Sequence, residues 1–397
     1  MAGGGNHLRG CLTLLWAPRE FYLALGVGLW LGGYFMADGW EQLRAFKWLL
    51  PLFLLNGDLL VKSFRETPWL WAATALLAYQ AVSRLWSTGS EPISNGADLA
   101  MVFLLLLALV TIGRREELAI WIVGGLALLC AAVTLYSLLA FYGDAGRVFG
   151  YHRLRNMLIY DDGLNAVLTG MLCAFGAVGA AWFTRGEDWP VFRYLWLALL
   201  ALLVLGLMAS ESRGPMLAGG TGIIVLMIFL RRAMAPALVT IALSVATFLA
   251  IALISRFEGT HLERGTTGRL EIYAWFLHRV TLLEGFFGMG MSADLTIPET
   301  ELGWFVHHPH SSYLTQFLLT GAIGLALVLF VLGWAGCRGL TESRRGNPLW
   351  LALLASGSVA LLFDCGQIFS LYSVPRIEFL LVVVPAALLM GRAGAEG

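Results

Sequence analysis

Apolar runs follow one another along almost the whole chain, and one long polar segment, residues 255–309, interrupts them. A run of roughly 20 apolar residues crosses the hydrocarbon core as a helix. About twelve such runs are legible, at 20–36, 43–61, 69–86, 99–113, 119–142, 164–183, 192–209, 215–230, 234–254, 310–335, 349–369 and 375–391. Only 13% of the 397 residues are charged, against about 25% in a soluble domain. The chain therefore reads as an all-α polytopic membrane protein, one integral membrane domain over 1–397. One side of the membrane would carry a large loop, 255–309, containing amphipathic helices, and a smaller loop, 143–163. The 26 basic and 26 acidic side chains cancel, so net charge points to no nucleic acid.

Five cysteines (Cys11, Cys130, Cys173, Cys337, Cys365) show neither CxxC nor Cys/His metal spacing, and they read as packing residues. The early apolar run Cys11–Trp16 is short and lacks an A-x-A site. The first span is therefore expected to be an uncleaved anchor.

Orientation follows from lysine and arginine in the short loops. With both termini in the cytoplasm, the inner segments collect Arg9, Arg19, Lys62, Arg65, Arg114, Arg115, Arg185, Arg193, Arg231, Arg232, Arg338, Arg344, Arg345 and Arg392, whereas the loop Ser87–Asp98 has no basic residue. Twelve basic residues still lie at or near the outer side, and all but Lys47 are arginine. Arginine's planar fork suits phosphate and carboxylate. The alternative is salt bridging or snorkelling, since 255–310 holds four arginines against seven acids. In loop 143–163, Arg147, Arg153 and Arg155 interleave with Phe149, Tyr151 and Tyr160. That mixture suits a sugar–phosphate headgroup or an interfacial aromatic belt.

Three outer-face signals carry possible chemistry. In SRGP, Ser212–Pro215, the proline fits a first helical turn and Arg213 stands at a helix start, a natural anion site. In Thr266–Gly290, Leu270, Tyr273, Phe276 (or Leu277), Val280 and Leu283 recur at helical spacing, predicting one amphipathic helix on the outer face. The third is His310 after Pro309, placed by the pattern at a helix start, where the dipole favours neutral imidazole and hence a general base. His307, His308 and His310 lack helical metal-ligand spacing and carboxylates to match, so no metal is expected. The acids Asp364 and Glu378 lie within apolar spans, where such residues serve a cavity or pair within the bundle.

The order SRGP, an arginine-led amphipathic helix closing in G-x-G (Arg269 with Gly288 and Gly290), then HSSYL (His310, Ser311, Leu314) resembles the O-antigen ligase family. That family shares its Wzy-C type fold with O-antigen polymerases and protein O-oligosaccharyltransferases. The resemblance implies a metal-independent, inverting glycosyltransferase of the Gram-negative inner membrane, with a periplasmic active site and no cofactor. Its donor would be O-antigen on undecaprenyl pyrophosphate, and its acceptor a hydroxyl of lipid A–core oligosaccharide in lipopolysaccharide biosynthesis. His310 would be the base, with Arg213 and Arg269 binding the pyrophosphate. Arg147, Arg153 and Arg155 would join them by sidedness and composition, with His308, Tyr273 and Asp364 in support. A polymerase or a protein transferase differs only in acceptor. A lipid-linked glycan flippase or transporter would call for a two-fold repeat and charges in mid-span, and neither is seen.

Overall fold

The structure, a computed structural model, describes residues 19–35, 44–87, 96–143, 147–149, 152–155, 165–185, 190–231, 233–255, 268–364, 366, 368 and 377–393. Arg256, His261, Arg264, Tyr151, Tyr160, Arg376, Cys11, Cys365 and most of loop Ser87–Asp98 lie outside the described residues. Among the described residues the chain is helical with no strand; residues Ile297 and Val306 form an isolated antiparallel bridge. Helices satisfy their own backbone polar groups, which lipid cannot do.

In chain order the helices are α1 (Arg19–Gly32), α2 (Leu50–Leu55), α3 (Gly57–Glu66), α4 (Pro68–Ser83), α5 (Gly96–Gly113), α6 (Glu116–Tyr142), α7 (Ala166–Phe183) and α8 (Pro190–Ala209). They continue with α9 (Arg213–Leu230), α10 (Ala235–Ser255), α11 (Arg269–Arg279), α12 (Leu282–Phe287), α13 (Glu299–Leu302), α14 (Ser312–Arg344), α15 (Leu349–Ala360) and α16 (Val384–Ala393). A π-helical turn, Phe379–Val383, leads into α16. Among the described residues five helices (α6, α7, α8, α9 and α14) are long and apolar enough to cross a membrane, alongside shorter apolar helices.

α7 is the buried axis and packs against α6, α8, α9 and α15. Its small residues, with Gly170, Gly176 and Gly179 among Ala and Cys, let neighbouring backbones approach closely, the usual source of helix cohesion in lipid. One end of the bundle is held by charge. Buried Glu342 meets Arg338 at 3.2 Å, Arg345 at 3.4 Å and Arg392 at 3.3 Å, and Arg392 also reaches Glu116 of α6 at 2.7 Å. The candidate site lies at the opposite end.

Three expectations about elements change. The run 43–61 is not one helix: the chain turns at Asn56 between α2 and α3. The amphipathic helix expected over 266–290 is two helices. Thr281 starts α12 with a capping box, its hydroxyl accepting from Glu284 N–H while the Glu284 carboxylate accepts from Thr281 N–H. On α11 Ile272 and Phe276 are buried, with Tyr273, Trp275 and Val280 packed against the same cluster, while Leu270 and, on α12, Leu283 are exposed. Of the residues expected on one apolar face, Tyr273, Phe276 and Val280 pack inward and Leu270 and Leu283 do not.

The third change is in α14, which is interrupted at Gly321, with φ 66° and ψ −169°. A backbone with that φ suits glycine, and a side chain there would overlap the Phe286 carbonyl. Into the break comes the Gly288–Gly290 segment. Met289 N–H donates to Leu318 O at 2.8 Å and Gly290 N–H to Leu319 O at 3.0 Å. Carbonyls that the break would orphan are thereby satisfied, and the polar segment is tied to the bundle.

Candidate functional site

The site begins with two similar helix starts. At the first, Glu211 has φ 49°, Ser212 is extended, and α9 starts at Arg213. At the second, His310 has φ 56°, Ser311 is the extended N-cap accepting from Leu314 N–H, and α14 starts at Ser312. Among the described residues Glu211 and His310 are the non-glycine positions with positive φ. Such backbone costs on the order of 1–3 kcal/mol and persists where surroundings over-determine it.

His310 therefore precedes the N-cap and is not itself in the helix, contrary to the expectation that it sits at the helix's positive end. What faces it is a carboxylate. α15 ends at Ala360, a turn follows, and Leu361 O accepts from Ser312 N–H at 2.9 Å. That contact brings Asp364, only 3% exposed, to His310, with Nδ1 to Oδ1 at 3.1 Å. His308 Nε2 lies 3.8 Å from the same oxygen, and His308 Nδ1 accepts from His310 N–H at 3.1 Å.

These bonds assign the tautomers. A carboxylate only accepts, so a neutral His310 carries its proton on Nδ1 and keeps a lone pair on Nε2. A neutral His308 accepts through Nδ1 and so carries its proton on Nε2, facing Asp364. His308, His310 and Asp364 do bring potential metal-ligating atoms within 4.8 Å of one another. The sequence-spacing argument had found no carboxylate to match, because Asp364 arrives from another span. One hydrogen bond, however, joins His310 Nδ1 to the shared oxygen, with His308 Nε2 standing farther off at 3.8 Å. A metal between them would displace both protons and the bond from His310 N–H.

Tyr273 on α11 closes the other side, its hydroxyl 3.4 Å from His310 O and 3.5 Å from Leu362 O. Burial raises its pKa above the ordinary tyrosine value; the Arg269 charge and a hydrogen bond with Ser311 oppose the rise, and Asp364 adds to it. The hydroxyl thus stays a donor at neutral pH. Arg269, half-buried one turn earlier on the same helix, shares this face with Tyr273.

Arg213 enters from α9. It is exposed, while the next residue, Gly214, is buried against Phe363, where a Cβ would stand 2.5 Å from the Phe363 Cβ. The α9 start therefore abuts the turn that carries Asp364. Arg153 supports that start: Nε donates to Ser210 O at 3.1 Å and Nη2 to Ser212 Oγ at 2.6 Å, while Leu154 N–H donates to Ala209 O at 2.9 Å. Arg147 lies over the Phe141 ring, 4.5 Å from its centroid, and Arg155 is exposed. Arg279 is paired with Glu301 at 2.7 Å and stacks 3.9 Å over Trp275. Buried Glu378 accepts from Gly366 N–H.

Four elements thus meet at one end of the bundle: the starts of α9 and α14, the turn after α15, and α11. Sequence reasoning named Asp364 only as a supporting acid and gave Ser311 no capping role. The Ser311 cap had a signal, a serine before an apolar helix. The Asp364 pairing had none, because it spans 54 residues.

Fold and site together define a helical, membrane-spanning protein that gathers an imidazole–carboxylate pair, a tyrosine and arginines at one end. Residues 198–329 are similar to the family model described as O-antigen ligase. Members of that family are glycosyltransferase-like enzymes acting on lipid-linked glycans. The matched region runs from within α8 to within α14 and contains Arg213, Arg269, Tyr273, His308 and His310. Asp364 and the 147–155 segment lie outside it. A comparison with curated proteins gives no match.

Proposed function

We propose that the protein is an O-antigen ligase. It moves O-antigen polysaccharide from undecaprenyl pyrophosphate to a hydroxyl of lipid A–core oligosaccharide, at the periplasmic face of the inner membrane. In this reading the bundle has about twelve spans, both termini are cytoplasmic, and 255–309 and 143–163 are periplasmic loops. The observation that carries the reading is the His310–Asp364 pair.

His310 Nε2 takes the proton of the acceptor hydroxyl as its oxygen attacks the anomeric carbon. The bond from that carbon to the pyrophosphate oxygen breaks, the electron pair leaves with the pyrophosphate, and the configuration inverts. Asp364 holds the imidazole in the required tautomer and stabilises the imidazolium that forms, the logic of a base oriented by a third group. Arg213 and Arg269 bind the pyrophosphate and offset the charge that grows on it. Arg153 fixes the turn that presents Arg213, and Arg147 packs on α6, so of the loop arginines Arg155 is the one free to approach a headgroup. No nucleotide is needed, because the pyrophosphate linkage is already activated.

The deciding experiment offers purified full-length protein the lipid-linked donor with three acceptors: lipid A–core, a second O-antigen chain, and a protein. Product on lipid A–core alone is expected. Product only on O-antigen makes it a polymerase, and product only on protein a protein transferase. His310→Ala, checked for intact folding, should lose transfer with every acceptor, and wild-type transfer by that variant would remove the base. Transfer should survive EDTA.

A further inference from the structure

We infer that the short helix α12 is an interfacial anchor whose outward face lies among the acyl chains of the leaflet on the site side. Leu282, Leu283, Phe286 and Phe287 are 82%, 70%, 54% and 44% exposed. Their spacing of i, i+1, i+4 and i+5 puts them on one face. Four large apolar side chains out of six residues are a face water does not favour, and α12 sits within the segment that is otherwise the most polar of the chain.

Two independent measures give the height of this face. From Arg338, in the charged cluster at the far end, α14 rises about 26 Å to the break at Gly321, at 1.5 Å per residue. α12 packs against α14 at that break. α4 begins at Pro68, and with the 3-10 turn Arg84–Trp86 that follows it the chain reaches Trp86 about 28 Å further on. Trp86 Nε1 donates to Gly288 O at 3.2 Å, and the Tyr79 hydroxyl to Phe287 O at 3.2 Å. Both helices put α12 at the outer boundary of a hydrocarbon core about 30 Å thick. Trp86 and Tyr79 at that level have the character of an interfacial aromatic belt. Leu85, 78% exposed, and Ile323, 38% exposed, continue the apolar surface from the spans to α12. Lipid is therefore the occupant argued for, since the patch is continuous with a surface lipid already covers.

The position has a consequence for the site. The Thr281–Glu284 capping box joins α12 to α11, and the Gly288–Gly290 segment is bonded into the broken α14. α11, with Arg269 and Tyr273, is thereby held at a set height above the acyl chains. The inference rests on the membrane reading of the bundle and not on the transfer reaction.

Nitroxide labels at Leu283→Cys and Phe286→Cys in the full chain test it, with Glu299→Cys as the water-facing reference and the signal of the labelled wild-type chain subtracted. The protein is reconstituted in phosphatidylcholine–phosphatidylglycerol vesicles. Collisions with oxygen, which concentrates in lipid, are compared with collisions with a water-soluble nickel chelate. Oxygen should dominate at 283 and 286, and nickel at 299. Nickel accessibility at 283 and 286 equal to that at 299 would overturn the anchor. So would spin–spin broadening, which would put a second copy of the chain on this face. Phe286→Cys answers the question alone if Leu283→Cys does not elute as a folded species.

Discussion

Replacing Asp364 with asparagine tests the dyad most directly, because it keeps the shape and removes the charge. In the transition state proposed here, the imidazolium of His310 sits 3.1 Å from the Asp364 carboxylate. At an effective dielectric near 20, unit charges at that separation attract by about 5 kcal/mol. The cost of burying Asp364 takes back part of this, and a hydrogen bond to a charged group is worth about 1.5–3 kcal/mol net. Taking 2–3 kcal/mol, and a tenfold change per 1.4 kcal/mol, kcat for transfer should fall by about 30- to 150-fold. Asparagine can also donate to Nδ1 and stabilise the wrong tautomer, which would deepen the loss. The assay follows labelled glycan passing from lipid-linked donor to acceptor under saturating donor, with thermal unfolding measured in parallel. KM for the donor should change little, and Asp364→Glu should recover part of kcat. A variant that folds normally and transfers within about twofold of wild type would refute the assigned tautomer and the role of Asp364.

Arg213→Ala and Arg269→Ala should each weaken use of the donor more than use of the acceptor, seen as a selective rise in donor KM or fall in kcat/KM; the reverse pattern counts against pyrophosphate binding. Arg153→Ala removes two hydrogen bonds from the α9 start and should destabilise the protein by about 1.5–3 kcal/mol in thermal unfolding, since one partner, Ser212, is buried. Arg153→Lys should not restore it, because a single ammonium cannot reproduce the fork. Gly321→Ala puts a side chain at positive φ against the Phe286 carbonyl and should cost at least about 1–3 kcal/mol, with faster proteolysis of the 282–290 segment as the readout. Acidification should free α11 from α13. The Trp275 and Arg279 hydrogen bonds hold the Glu301 carboxylate below its ordinary pKa, so this link is complete above the ordinary carboxylate value and is lost as pH falls through the depressed one. Amide protection factors along 299–303, corrected for the intrinsic pH dependence of exchange, should fall there and stay level between pH 6 and 8.

The membrane class, the helical content and the likeness to the O-antigen ligase family over 198–329 were legible without coordinates, because each rests on local pattern. Lipid admits few backbone solutions to a run of about 20 apolar residues, so the class follows from run length alone. The arginines at 213 and 269 and the histidine at 310 stood out for the same reason, being polar residues in an apolar chain. Elements whose limits depend on partners were less legible. Nothing local reveals that α14 breaks at Gly321 rather than at another of its glycines. The break requires the Met289 and Gly290 amides to arrive and satisfy the freed carbonyls. The apolar face of α11 was legible only in part for a related reason. Tyr273, Phe276 and Val280 pack against the bundle as their spacing suggests, but Leu270 and Leu283, at the same spacing, do not, and Ile272 takes a buried place that the spacing did not give it.

The sequence by itself determined that the chain is a bundle for lipid, with a polar segment bearing arginines and a histidine, since hydropathy and charge act residue by residue. Only the tertiary structure decided what that histidine can do. Asp364 reaches His310 because Ser312 N–H is bonded to Leu361 O, which joins two helix ends 49 positions apart in the chain. Arg213 approaches the same turn because Gly214 leaves room for Phe363. A proton acceptor is defined by the atom left free once its neighbour is paired, and that pairing exists only when the bundle has closed.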